Sequence, residues 1–182
     1  MSFMSLCLVS SRFLGNGLVT AQDHQLWYKQ RRIMDPAFSS LYLRGLTGAF
    51  NERAEKLMAE LSDVADGEQE ASMLQLANSF TLDVIAKVAF GVDLDQLSER
   101  ARFSRAVQTC LKGMLLTVRD GFFKFNPKNR AFIKEVRAAC LLLRSTGAEW
   151  IQNRKSAMEH GDDVPNDILT QIIKTAGEGP EP

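Results

Sequence analysis

The sequence predicts an all-α protein of five to six helices. Two observations predict it. Apolar residues recur at three- and four-residue spacing through most of the chain, the repeat of helices that turn one face inward. Asp, Ser, Gly and Pro punctuate that repeat where helices start and stop. With 45 % hydrophobic and 24 % charged residues, the 182-residue chain has the composition of one ordinary globular domain.

Residues 12–22 hold two glycines and no helical period, and read as loop. Asp23 caps a first helix from His24 to about Met34, and Pro36 ends it. Ser39 or Ser40 opens a second. Leu46, Phe50, Leu57, Met58 and Leu61 form its inward stripe, and it ends near Asp66-Gly67. Ser72 caps a third that runs to Phe90, with Gly91 as its stop. Leu74, Leu76, Phe80, Leu82, Val84, Ile85 and Val88 go nearly all round that helix, which is therefore expected to be buried.

Residues 92–102 are polar and loop-like. A fourth helix runs from about Phe103 to Val118, with Val107, Cys110, Leu111, Met114 and Leu115 inward. Residues 120–128 are a turn with three aromatics among lysines. A long fifth helix spans about Asn129 to His160, and Gly161 ends it. The sixth starts at Asp162-Asp163-Val164-Pro165, since Pro suits a first helical turn. Its inner face is Ile168, Leu169, Ile172 and Ile173. After Lys174 no core-forming residue follows, so residues 176–182 are expected to be a disordered tail.

Charge and cysteine usage exclude several function classes. Lys plus Arg equals Asp plus Glu at 22 each, so no basic excess points to nucleic acid. Cys7, Cys110 and Cys140 form no C-x-x-C pair and read as buried free thiols. His24 and His160 lack companions at ligand spacing, so no metal site is expected. Asp83 is a single acid without a second acid beside it, and no residue is assigned a catalytic role. The first ten residues are mildly apolar, too short to span a bilayer and without the basic opening of a secretory signal. A chain without a membrane anchor is the expectation.

One pair of residues points to chemistry. Trp27 and Arg31 are four apart, which on a helix places an indole N–H and a guanidinium on one face. A donor-only indole and a permanently charged fork of donors suit an anionic oxygen pair such as a carboxylate. Spacing alone favours the plainer reading, Trp27 as a core anchor with Arg31 reaching past it to solvent; the flanking chain points the other way.

The run from Gly15 to Ser39, "GNGLVTAQDHQLWYKQRRIMDPAFS", resembles the C-helix region of the cytochrome P-450 family. That region has a Gly-rich approach, a Trp-x-x-x-Arg pair and a following Pro-Ala-Phe. "DVIAKVAFG", Asp83 to Gly91, resembles the family's E-helix end. "WYKQRRIMDPAFS" and "VPNDILTQI" are most similar to its cholesterol 24-hydroxylase branch. The resemblance covers about residues 12–175, the C to H helices, leaving residues 1–11 as an unrelated or alternative N-terminus. It implies that Trp27 and Arg31 hold a haem propionate. It also implies that Lys29 and Arg32 help dock NADPH-cytochrome reductase. Residues 120–130, by themselves readable as core aromatics beside a solvated charge face, would touch the membrane, and Met114, Leu115, Phe122 and Phe123 would contact an apolar, sterol-like substrate. Intact members reside in the endoplasmic reticulum membrane; without an anchor, this chain is expected in the cytosol.

Against that pattern, the Phe-x-x-Gly-x-x-x-Cys loop that carries the iron-ligating thiolate is not found in the 182 residues, nor is the Ala-Gly-x-Glu/Asp-Thr stretch. The Glu-x-x-Arg pair is not found in its family setting. The expectation is a partial haem-dependent monooxygenase, inactive by itself. The alternatives are a non-enzymatic helical interaction fragment and a lipid-binding module.

Overall fold

The computed structural model describes residues 14–65, 72–94, 97–123 and 125–177. Among them the chain is all-helical. Seven α-helices run in order: α1 His24–Met34, α2 Ser40–Gly45, α3 Thr47–Ala65, α4 Met73–Phe90, α5 Leu97–Arg119, α6 Arg130–His160 and α7 Ile168–Gly177. Two 3-10 turns, Asp35–Phe38 and Pro127–Asn129, join α1 to α2 and precede α6. The chain forms two compact units: residues up to Arg32 with Arg105–Trp150, and Ile33–Ser104 with the segment from Ile151 on.

In the first unit α5 and α6 meet along a seam of small side chains. Ala106, Cys110, Ala139 and Cys140 are its buried centre, with Val136, Leu142 and Leu143 packed against it. Gly113 continues the seam: a Cβ there would stand 2.7 Å from Val136 Cγ2, so glycine sets how closely the two helices approach. Thr117, also buried, donates its hydroxyl back to Gly113 O at 2.9 Å, which satisfies the hydroxyl without a distant partner. Between the helices, Asp120 Oδ1 accepts from Phe122 N–H and Asn126 Oδ1 accepts from Lys128 N–H, so the expected turn is built from two side-chain-closed bends. Phe123 is buried edge-on against Phe132, with ring centroids 6.2 Å apart.

The second unit is held by buried charges. Asp83, in the middle of α4, meets Arg100 of α5 at 2.7 Å, and Arg100 also reaches Glu60 of α3 at 3.1 Å. Arg53, almost wholly buried on α3, pairs with Asp93 just after α4, and Lys87 joins Asp93 at 2.9 Å. Each buried charge here stands against an opposite charge, which offsets the cost of taking it out of water. At the other end, Arg154 of α6 binds Asp167 at 2.6 Å, Thr170 Oγ1, and Phe90 O at 2.9 Å. Asp167 in turn caps α7 by accepting from Thr170 N–H at 2.8 Å, while its carbonyl accepts from Tyr42 O–H at 2.6 Å. Gly91, at φ +66°, lets the chain turn away under this cluster; a Cβ there would strike Asp167 and Arg154. α7 packs on α4 and on the Asp35–Phe38 turn, whose Ala37 is fully buried.

Four boundaries or faces differ from expectation. The second expected helix is two, α2 and α3. Leu46 folds back with its N–H on Leu43 O, and Thr47 Oγ1 donates to Arg44 O, so the helical ladder breaks at the Gly45–Gly48 stretch. α4 is exposed along part of its length, at Met73, Leu74 and Ile85. α5 begins at Leu97 rather than Phe103, and Arg100 on its first turns is fastened to Asp83 and Glu60. α7 begins at Ile168 rather than Pro165, because Asp167 is the capping side chain, and it persists to Gly177. The expected end near Asp66-Gly67, the N-terminal segment 1–11 and most of the expected tail lie outside the described residues.

Candidate functional site: an exposed Trp–Arg helix

The sequence singles out α1, and the structure shows how it is held. Asp23 Oδ1 accepts from Gln25 N–H at 2.9 Å and Asp23 O accepts from Trp27 N–H at 2.9 Å, which starts the helix where expected. Ahead of it, Thr20 ties the Gly-rich approach: its hydroxyl donates to Gly15 O, and its N–H donates to Gly17 O at 3.0 Å. Gly15 takes φ +63°, the left-handed region, beside the Arg144 guanidinium of α6. Gln30 Nε2 then donates to Asn16 O at 2.7 Å, clamping the loop onto α1. Thr20, Gln30 and Arg144 were not singled out from sequence. A threonine and an amide carry no periodic signal, and Arg144 is more than a hundred residues from the loop it meets.

No residue of α1 is buried. Trp27 is 37 % exposed, and Arg31 is exposed one turn further on. An indole N–H and a guanidinium therefore stand on one accessible helix face, a donor set that fits a carboxylate pair. His24 extends the same face: its ring lies 6.0 Å from Trp27 and stacks on Tyr28 at 6.5 Å and 8°. Arg32 stands 5.9 Å over Tyr28, a cation on an aromatic ring, and Lys29 is exposed on the helix flank.

The other predicted residues are distributed along α5 and the following turn. Met114 is half-buried and Leu115 exposed. Adjacent Phe122 and Phe123 face opposite environments: Phe122 is 79 % exposed and Phe123 is in the core. Phe125 is exposed beside Lys128 and Arg130, while Lys124 lies outside the described residues.

The described thiols offer no exposed metal ligand. Cys110 and Cys140 are buried against each other, Sγ to Sγ 3.5 Å. Burial, then the contact with Cys140, pushes the Cys110 thiol up to about 12, so it stays protonated at neutral pH. Among the described residues no three His, Cys, Asp or Glu side chains gather as a metal site, and no helix is long and apolar enough to cross a membrane.

Comparison with known proteins places these features in a family. The family model for Cytochrome P450 matches residues 5–181. Probable cytochrome P450 4ac1 of Drosophila melanogaster is 32 % identical over 114 residues, 63 % of this chain and 22 % of that protein. Protein LUTEIN DEFICIENT 5, chloroplastic, of Arabidopsis thaliana is 32 % identical over 99 residues, 54 % of this chain and 16 % of that protein. Probable cytochrome P450 4e1 of Drosophila melanogaster is 28 % identical over 159 residues, 82 % of this chain and 29 % of that protein. The chain thus spans less than a third of the length of these relatives. A match over nearly its whole length, on an all-helical fold with the Trp-x-x-x-Arg helix in place, establishes that the chain belongs to the cytochrome P450 family.

Proposed function

We propose that this chain supplies the propionate-holding and substrate-side helices of a haem-dependent monooxygenase acting on an apolar, sterol-like lipid, of the type represented by the cholesterol 24-hydroxylase branch. The observation that carries the reading is the Trp27/Arg31 pair on an exposed helix in a chain of this family. Trp27 N–H and the Arg31 fork would bind haem carboxylates, and the Gln30–Asn16 clamp would keep their helix in register with the Gly-rich loop. When bound with a thiolate ligand, haem supplies oxygen activation to such enzymes. Met114, Leu115, Phe122 and Phe123 are the apolar contacts offered to substrate. Lys29 and Arg32, on the flank of the same helix, are the proposed contacts for NADPH-cytochrome reductase. Exposed Phe122 and Phe125, near Lys128 and Arg130, suit the surface of the endoplasmic reticulum membrane, where rings enter the interface and cations meet headgroups.

A haemin titration of the purified chain tests this reading. Trp27 and Arg31 are both exposed on α1, so Trp27→Ala and Arg31→Ala should leave the circular dichroism unchanged. Each should weaken haem uptake about ten- to a hundredfold, the worth of a charge-assisted hydrogen bond. The reduced, CO-bound complex of the 182-residue polypeptide should lack a thiolate-type Soret band. Uptake indifferent to both substitutions would remove the propionate assignment; a thiolate-type band would show that one of the three cysteines ligates iron.

A further inference from the structure

We propose that Cys110 and Cys140 are an intramolecular disulfide site, closed by oxidised glutathione or a similar small disulfide, that cross-links α5 to α6. The two thiols touch, with Sγ to Sγ at 3.5 Å, although they are 30 residues apart in the chain. They stand at the centre of the small-residue seam formed by Ala106, Gly113 and Ala139. Those small residues bring the two helices close, and close approach is what a bridge between helices requires. Both cysteines are unpaired with any other group of the proposed site, and the inference is independent of the haem reading.

The exchange balances. One cysteine gives up its proton and its sulfur attacks a sulfur of the small disulfide. A mixed disulfide forms, and the first glutathione leaves as a thiolate that takes up the released proton. The second cysteine loses its proton and attacks the protein sulfur of that mixed disulfide. The second glutathione leaves and is protonated in the same way. Two protein thiols are oxidised by two electrons, and one small disulfide is reduced to two thiols.

Burial sets the rate and contact sets the equilibrium. Both side chains are nearly inaccessible, and Cys110 is pushed up to about 12 by burial and its neighbour, so little thiolate meets the oxidant while the seam is closed. Entry therefore follows a local opening of α5 from α6, and so does reduction. A glutathione adduct is too large for a seam lined by alanine and glycine, whereas the bridge adds no atoms. Once formed, the bridge closes a loop that contains the 120–129 turn, restraining Phe122 and its neighbours.

The test is equilibration of the full chain in glutathione buffers of increasing oxidised fraction, in buffer and in urea, followed by acid quench, alkylation and tryptic mapping. The diagnostic product joins Ala106–Lys112 to Ala138–Arg144. The effective concentration of the pair should be at least about tenfold higher in buffer than in urea, because the fold holds the thiols in contact. The bridged chain should also melt at a higher temperature than the reduced one. A value no higher in buffer than in urea would overturn the proposal. So would glutathione adducts persisting on either cysteine, Cys7 pairing in place of one of them, or a lowered melting temperature.

Discussion

Arg154 is the side chain on which the second unit turns. It is largely buried and holds a carboxylate and a hydroxyl at the start of α7 and a backbone carbonyl at the end of α4. Removing it leaves Asp167 charged and buried without its partner. We expect Arg154→Met to cost about 3–5 kcal/mol in urea unfolding, against a smaller loss for Asp167→Asn, whose side-chain oxygen can still accept from Arg154 while Arg154 keeps Thr170 and Phe90 O. Cys110 supplies a pH signature. Its folded-state proton is held up to about 12, above the 9.0 of an ordinary thiol. Between those values the unfolded chain has released a proton that the folded chain keeps, so stability falls as pH rises from 9 to 12. Tyr42, raised chiefly by burial and then by Asp167, adds to the same alkaline loss above 10. In Cys110→Ala the Cys110 contribution disappears, and the urea midpoint should decline less steeply over that range. A slope identical to the parent chain would contradict it. The sequence marks Cys110 as a buried thiol, but its contact with Cys140 and the partners of Arg154 come from segments far away in the chain.

At the scale of elements, capping decided the boundaries that periodicity left loose. α1 matches its sequence bounds because Asp23 and the Pro36 turn are both local signals. α7 does not, since the choice between Pro165 and Asp167 as its start is settled by Arg154 and Thr170 holding the Asp167 carboxylate. The split between α2 and α3 was foreshadowed by Gly45 and Gly48, which weaken a ladder without dictating where it breaks. The α5/α6 seam depends on Gly113. Gly113→Ala would drive a methyl into Val136 and should destabilise the chain by about 1–3 kcal/mol, the cost of overpacking a core. Gly113→Ala combined with Val136→Ala should recover part of that loss, measured by the same urea curves. No recovery would mean that the clash is not what Gly113 avoids.

Among the described residues, the largest fully buried side chains are Thr170 and Cys110, while Leu41, Leu74, Phe122, Phe125 and Leu141 are widely exposed. Small cores and broad apolar surface point to weak stability for this polypeptide by itself. We expect it to bind anilinonaphthalene sulfonate at neutral pH and to melt over a broad, concentration-dependent range. A sharp, reversible transition with no dye binding would refute this.

By itself the sequence determined the helical class and the position of α1, with Trp27 and Arg31 one turn apart on it, because those depend on neighbours within about four residues along the chain. The family followed from the same local run. Tertiary structure decided what no local pattern encodes. It set Asp83 against Arg100, gave Asp167 to Arg154 and turned Phe122 outward while Phe123 went in. It also brought Cys110 to Cys140. Each of these is a meeting of segments distant in sequence, fixed by which helix faces pack and which buried charges must find a partner.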